Sequence, residues 1–238
     1  MDSASYIAAA GMKTCYRALD VVTNNLANIH SPGFKAERPF YRMLQEARGL
    51  SGSALYGTVT DFALGSLRAT GNPLDLAISG EGFFTVLTPG GERYTRDGGF
   101  SIAQGGELVT REGYTVLGTG GGPIIVALGP DSPNEVTVSP GGDVSVDGEL
   151  VGTLAVVSFA DVGSLRSEGS LTFSSDLQPQ RVVNPNIEQG VLEDSNVDAI
   201  GALLQLIQLN RAFDINQRTV LTLMNTVNRR AVSEIAAQ

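Results

Sequence analysis

The sequence predicts a mixed α and β fold: N- and C-terminal coiled-coil helices form one discontinuous module, and an antiparallel all-β domain is inserted between them. Three observations lead there. Apolar residues recur at alternating three- and four-residue steps near both ends of the 238-residue chain, the spacing of a helical seam. Turn residues punctuate the middle at intervals of roughly eight to twelve residues, as in all-β sandwiches and barrels. The faces beside the terminal seams carry amides and threonines where a solvated helix carries Lys and Glu.

The first helix, within residues 1–34, places Met12, Cys15, Leu19, Val22, Leu26 and Ile29 on one stripe. Ala8, Ala9, Ala10, Ala18 and Ala27 beside it allow close approach of a second helix, and Asn24, Asn25 and Asn28 lie on the outer face. The helix is expected to stop near Ile29. Ser31 precedes Pro32, which disfavours helical backbone, and Gly33 permits a sharp turn.

Residues 35–70 read as a connector. Phe40, Tyr41, Met43 and Leu44 form a short apolar anchor, and Gly49, Gly52, Gly57 and Gly65 then divide extended pieces. Residues 71–176 carry the β-rich domain. Short apolar runs at 74–78, 83–87, 93–96, 100–103, 107–111, 114–117 and 123–128 alternate with turns such as Pro89-Gly90-Gly91 and Asp97-Gly98-Gly99. Val136, Val138, Val144 and Val146 alternate with polar residues, and Asp147-Gly148 is a two-residue hairpin signal before Leu150. Residues 177–194, with Pro179 and Pro185, return as an extended strand or linker.

The last helix, within 195–238, is expected from about Val197 to Ala236, with Ser195 as its cap and Asp198 completing a capping box. Its seam runs Leu206, Leu209, Phe213, Asn216, Val220, Met224, Val227, Ala231, Ile235. Outside the seam stand Gln205, Gln208, Asn210, Gln217, Thr219, Thr222, Asn225, Thr226 and Asn228, a set suited to a covered face that still forms hydrogen bonds.

Composition excludes several functions. A net charge of -9 argues against nucleic acid and against anionic membranes as the main partner. The single cysteine, Cys15, forbids an internal disulfide and sits on an apolar stripe, where it reads as a small core residue. One histidine, His30, and one cysteine cannot build a zinc site or a Ser-His or Cys-His nucleophile, so no cofactor, metal or catalytic residue is assigned. Gly118-Thr119-Gly120-Gly121-Gly122 lacks the Lys-Ser/Thr pair of a phosphate loop and leads into an extended run, so it reads as a turn. The chain shows no membrane span, and its opening lacks the basic and apolar regions of a cleavable signal peptide.

The run from Asn24 through Asn28 to Ile29-His30-Ser31-Pro32-Gly33-Phe34-Lys35 resembles the N-terminal signature of the bacterial flagellar rod and hook proteins. Gly71-Asn72-Pro73-Leu74-Asp75-Leu76-Ala77-Ile78, Gly80-Glu81-Gly82-Phe83-Phe84 and Tyr94-Thr95-Arg96-Asp97-Gly98 are similar to the start of that family's β domain. Leu192 through Val197 and Arg211-Ala212-Phe213-Asp214-Ile215-Asn216 match its C-terminal signature, with His30 in place of the usual Asn and Asp214 in place of the common Glu. The short connector and the segment from Leu117-Gly118 to Gly122-Pro123-Ile124 resemble the proximal rod type, with the distal type as the alternative.

The resemblance implies a structural subunit without catalysis, exported by the flagellar type III apparatus. It stacks with copies of itself and with other rod proteins into a rod that crosses the periplasm and passes torque to the hook; contact with the surrounding ring stays open. The terminal helices would form the inner tube and the β domain the outer layer. On that reading Met12, Leu19, Val22 and Leu26 pack on Leu209, Phe213, Val220 and Met224. Asn24, Asn25, Asn28, Arg211 and Asn216 make polar contacts within and between subunits, Pro32, Gly33 and Phe34 fix the exit from the tube, and Ser195 and Asn196 sit at the start of the last helix. A secreted β-rich binding or adhesion module, or a carbohydrate-active β enzyme, would instead need only residues 71–173.

Overall fold

The computed structural model describes residues 3–45, 51–126, 135–169 and 171–235. The fold is mixed α and β, with a helix near each end and a largely antiparallel β region between them. The chain divides into two compact units: residues 1–27, 37–61 and 198–238 form one, and residues 28–36 and 62–197 the other.

In the first unit, α1 (Ser3–Ala27) packs on α2 (Ala199–Ile235) and on a hairpin of β1 (Glu37–Gln45) and β2 (Ser51–Thr60). That hairpin occupies most of the stretch read as a connector. Its strands are antiparallel from Glu37 opposite Thr60 to Gln45 opposite Ser51, with a bulge between Phe40 and Tyr41.

The last helix starts later than its sequence signals indicate. Asp198 is the residue whose side chain accepts from the Ile200 amide, at 3.1 Å, and whose carbonyl accepts from Ala202, at 2.8 Å. Ser195 instead accepts from the Val197 amide at 3.3 Å. The backbone there is committed elsewhere, because the Asn196 amide reaches the Phe34 carbonyl at 3.5 Å.

The second unit opens with β3 (Leu67–Ala69) and β4 (Leu76–Ile78). It continues through β5 (Phe83–Thr88), β6 (Gly91–Thr95), β7 (Ser101–Ile102), β8 (Leu108–Val109), β9 (Thr115–Val116), β10 (Val136–Val138), β11 (Asp143–Val146), β12 (Glu149–Thr153) and β13 (Val156–Ser158). A 3-10 turn at Val162–Ser164 precedes β14 (Arg166–Glu168) and β15 (Thr172–Ser174), and β16 (Gln180–Arg181), β17 (Ile187–Gln189) and β18 (Val191–Glu193) complete it.

The main sheet runs β14-β15-β6-β5-β9-β8-β7, with β13 joining β5 on one side and β16 on the other. Strands β10, β11 and β12 form a meander whose Asp147-Gly148 turn has positive φ at both residues, 51° and 86°, as a two-residue hairpin of this kind requires. The returning segment is strand, as β17 pairs with β4 and β18 with β3. Residues 123–126 contribute isolated bridges, Leu117 with Pro123 and Glu107 with Ile125, and bury Ile124 and Val126.

Alternation along β5 divides the unit's apolar interior. Phe84 and Val86 join Leu76, Ile78, Phe100, Val116, Leu154 and Val156 in the larger core. Phe83 points the other way, into an aromatic cluster with Tyr94, Phe159 and Phe173, closed by Phe62, whose ring stands edge-on to Phe83 at 5.5 Å.

Candidate assembly interface

The helical seam is visible as a burial pattern. On α1, Ala18, Val21 and Val22 are buried, and Met12, Cys15, Leu19 and Leu26 are half-buried. On α2, Ala202 is buried, and Leu206, Leu209, Ala212, Phe213, Asn216 and Val220 are half-buried at the same three-four steps. Asn216 is the polar position where the helices meet: its Nδ2 lies 3.7 Å from Cys15 Sγ, and a Cβ at Gly11 would lie 3.4 Å from its amide. Gly11 thus leaves α1 room to lie directly against the Asn216 amide. Met224 is 56% exposed, and the side chains of Val227, Ala231, Ile235, Thr226 and Asn228 lie outside the described ones.

The other predicted residues divide by environment. Asn24 and Arg211 are exposed. Asn25 is turned inward, where its amide bonds to Glu37 on both backbone groups. Asn28, Ser195 and Asn196 are half-buried, and Pro32, Gly33 and Phe34 are buried in the second unit.

A second apolar stripe on α2 escaped the sequence reading. Ile200, Leu203, Leu204, Ile207 and Ile215 are 74%, 50%, 55%, 41% and 65% exposed, away from the seam. Their three-four spacing was present in the sequence but offset from the longer seam, which claimed the helix. Several polar side chains read as suited to a covered face also bond within their own helix. Asn210 Nδ2 donates to Leu206 O at 3.0 Å, and Thr219 and Thr222 donate to Ile215 O and Arg218 O at 2.8 and 2.9 Å. The first half of α2 is therefore apolar on opposite sides, the composition of a helix surrounded by protein.

The second unit holds a buried polar centre that no local pattern announced. Lys35 Nζ lies 2.5 Å from Glu193 Oε1 and donates to Ala63 O at 2.8 Å, and both charged side chains are essentially inaccessible. Arg96 approaches the other carboxylate oxygen at 3.5 Å and donates to the Ile78 and Gly80 carbonyls at 3.2 and 2.7 Å. Gly65 N adds a bond to Glu193 at 3.0 Å. Burial pulls the Arg96 guanidinium down from its ordinary value, and Glu193 and Glu81 oppose that pull. Asp97, next in sequence, is pushed up to about 6 by burial, although its Oδ1 accepts from Gly99 N at 2.9 Å.

Three family descriptions match in chain order: "Flagella basal body rod protein" over 6–35, "Flagellar hook protein FlgE/F/G D1 domain" over 77–146 and "Flagellar basal body rod FlgEFG protein C-terminal" over 188–226. The flagellar basal-body rod protein FlgF of Caulobacter vibrioides is 38% identical over 226 residues, covering 90% of each chain. The chain belongs to the flagellar basal-body rod family. Within it the likeness is greater to FlgF than to FlgG. FlgF of Rhizobium meliloti is 35% identical with 90% of each chain covered, against 31% for FlgG of Bacillus subtilis, with 91% of this chain and 93% of that relative covered. It is a structural subunit of the flagellar basal-body rod that assembles with other rod proteins, and not an enzyme.

Proposed function

We propose that this rod-family subunit stacks helically through its terminal helices and passes motor torque along the rod to the hook. Residues 1–34 and 195–238 pair as a coiled coil in the inner layer, residues 71–176 form the outer layer, and 35–70 and 177–194 connect them. The subunit leaves the cell interior by the flagellar type III route and works where the rod crosses the periplasm.

The observation that carries this reading is the exposed stripe of Ile200, Leu203, Leu204 and Ile207, opposite a seam already engaged with α1. A contiguous apolar helix face left in water marks a surface awaiting a partner, and a subunit stacked in a filament presents one to its neighbour. The half-buried seam at three-four spacing supports the coiled coil.

The test is the double variant Leu203→Asp with Ile207→Asp, produced as the only copy of this subunit in flagellated cells. Both side chains are substantially exposed in the single chain, so the soluble variant should unfold with the parent's profile while its incorporation into purified basal bodies and swimming are lost. Normal incorporation would sink the proposal.

A further inference from the structure

Stretches singled out in the sequence at three distant places converge on the buried polar centre: Lys35 ends the first, Arg96 lies in the middle one, and Glu193 and Asn196 lie in the last. Lys35 and Glu193 are separated by 158 positions. Residues 28–36, 62–66 and 193–197 all belong to the second compact unit, and each adjoins in sequence a piece of the first.

A network of bonds ties these segments together. Gly33 N donates to Glu193 O at 2.7 Å, Ala36 N to Asn196 Oδ1 at 2.7 Å, and Asp194 N to Ser66 O at 2.8 Å. Asn196 Nδ2 donates to Ala63 O at 3.0 Å, the same carbonyl that receives Lys35. Gly65 is required by closeness alone, because a Cβ there would stand 1.9 Å from Asp194 O.

We infer that Glu193, with Lys35, Arg96 and Asn196, is a latch of positioning residues that fixes where the chain enters and leaves the two helices. This rests on the rod-assembly reading above and assigns the residues that prepare the helices for it. A buried ion pair adds little net stability compared with well-packed apolar residues, but it tolerates few alternative geometries. Glu193 places acceptors for Lys35, Arg96 and Gly65 around one carboxylate, so sliding any segment leaves a buried charge or amide unpaired. Without the latch, α1 and α2 must find each other across the intervening chain. With it, they search from roots held together, at a raised effective concentration and one register.

Hydrogen–deuterium exchange on the full-length soluble subunit tests the latch, alongside incorporation into basal bodies. For Glu193→Gln, exchange at 28–36, 62–66 and 193–202 should rise by about ten- to a hundredfold, while amides of β5 and β6 rise less than about threefold. Incorporation should fall with it. A parallel rise throughout the second unit would reduce the centre to ordinary core stability and overturn the inference.

Asn196→Ala removes a half-buried amide and leaves the ion pairs intact, so it keeps the test valid if Glu193→Gln fails to fold. It should raise exchange at 34–36 and 194–199 and lower incorporation, and no change in either overturns the latch. The Leu203→Asp and Ile207→Asp pair should leave latch exchange as in the parent. If that pair still assembles while Glu193→Gln shows its local rise, the rod-face reading fails and the latch geometry stands.

Discussion

The side-chain amide of Asn25 and the backbone of Glu37 hold each other at both ends: Nδ2 donates to Glu37 O at 2.7 Å, and Glu37 N donates to Oδ1 at 2.9 Å. Asn25 thereby stands in for a paired strand residue at the start of β1, and does so from the last turn of α1. An amide at this position was read from sequence as a contact within or between subunits, and the bonds it makes here lie within the chain. Asn25→Leu would remove the Asn25 partner of both Glu37 backbone groups, at a side chain only 9% exposed. It should cost about 1–3 kcal/mol, read as a lower unfolding midpoint for the helical unit. Asn25→Asp keeps the acceptor but not the donor and should recover part of the loss.

Phe213 lies on the α2 seam, half-buried. A carboxylate in its place removes apolar contact and brings a charge against α1, a change of roughly 2–4 kcal/mol. Phe213→Asp should therefore lower helical circular dichroism and abolish swimming, while near-ultraviolet signals from the Phe83, Tyr94 and Phe159 cluster persist. Swimming at the parent's level would mean that the seam is wrongly assigned.

What sequence could reveal was periodic or local. Repeating steps from Met12 to Leu26 and from Leu206 to Val220 exposed the seam, and Asp147-Gly148 marked its hairpin, because both depend on neighbours a few residues apart. The hairpin at 37–60 was missed since its strands mix Gly, charged and aromatic residues without strict alternation. Lys35 and Glu193 each look like ordinary surface charges until the fold brings them together. The pairing of β17 with β4 and of β18 with β3 is likewise a long-range register that no single segment encodes. The outer stripe at Ile200 to Ile207 was legible in spacing but hidden behind a longer pattern on the same helix.

Asp97 makes stability depend on pH. Its carboxyl is buried and raised from 3.8 to about 6 in the folded chain, with Arg111 favouring the charge and Glu112 and Asp75 opposing it. The folded state therefore holds this proton more tightly than the unfolded state does. The contribution is largest below pH 4, falls as pH rises to about 6, and is flat above that. A shift of about two units corresponds to roughly 3 kcal/mol. Denaturant unfolding between pH 4 and 7 should show this decline, and Asp97→Asn should flatten it. An unchanged slope in the variant would assign the dependence to other groups.

Gly33 combines two requirements that no other residue satisfies. Its φ is +69°, and a Cβ would stand 2.2 Å from Asp97 N and 2.3 Å from Arg96 C. The left-handed backbone alone costs an L-residue about 1–2 kcal/mol, and the clash is with backbone, which cannot rotate away. Relief would require moving the turn off residues 96–97, which pulls Gly33 N from Glu193 O. Gly33→Ala should therefore destabilise the second unit by more than the backbone term alone, and exchange at 28–36 should rise with the fall in midpoint. A cost confined to about 1 kcal/mol, with protection at 28–36 preserved, would show that the turn can move without releasing Glu193.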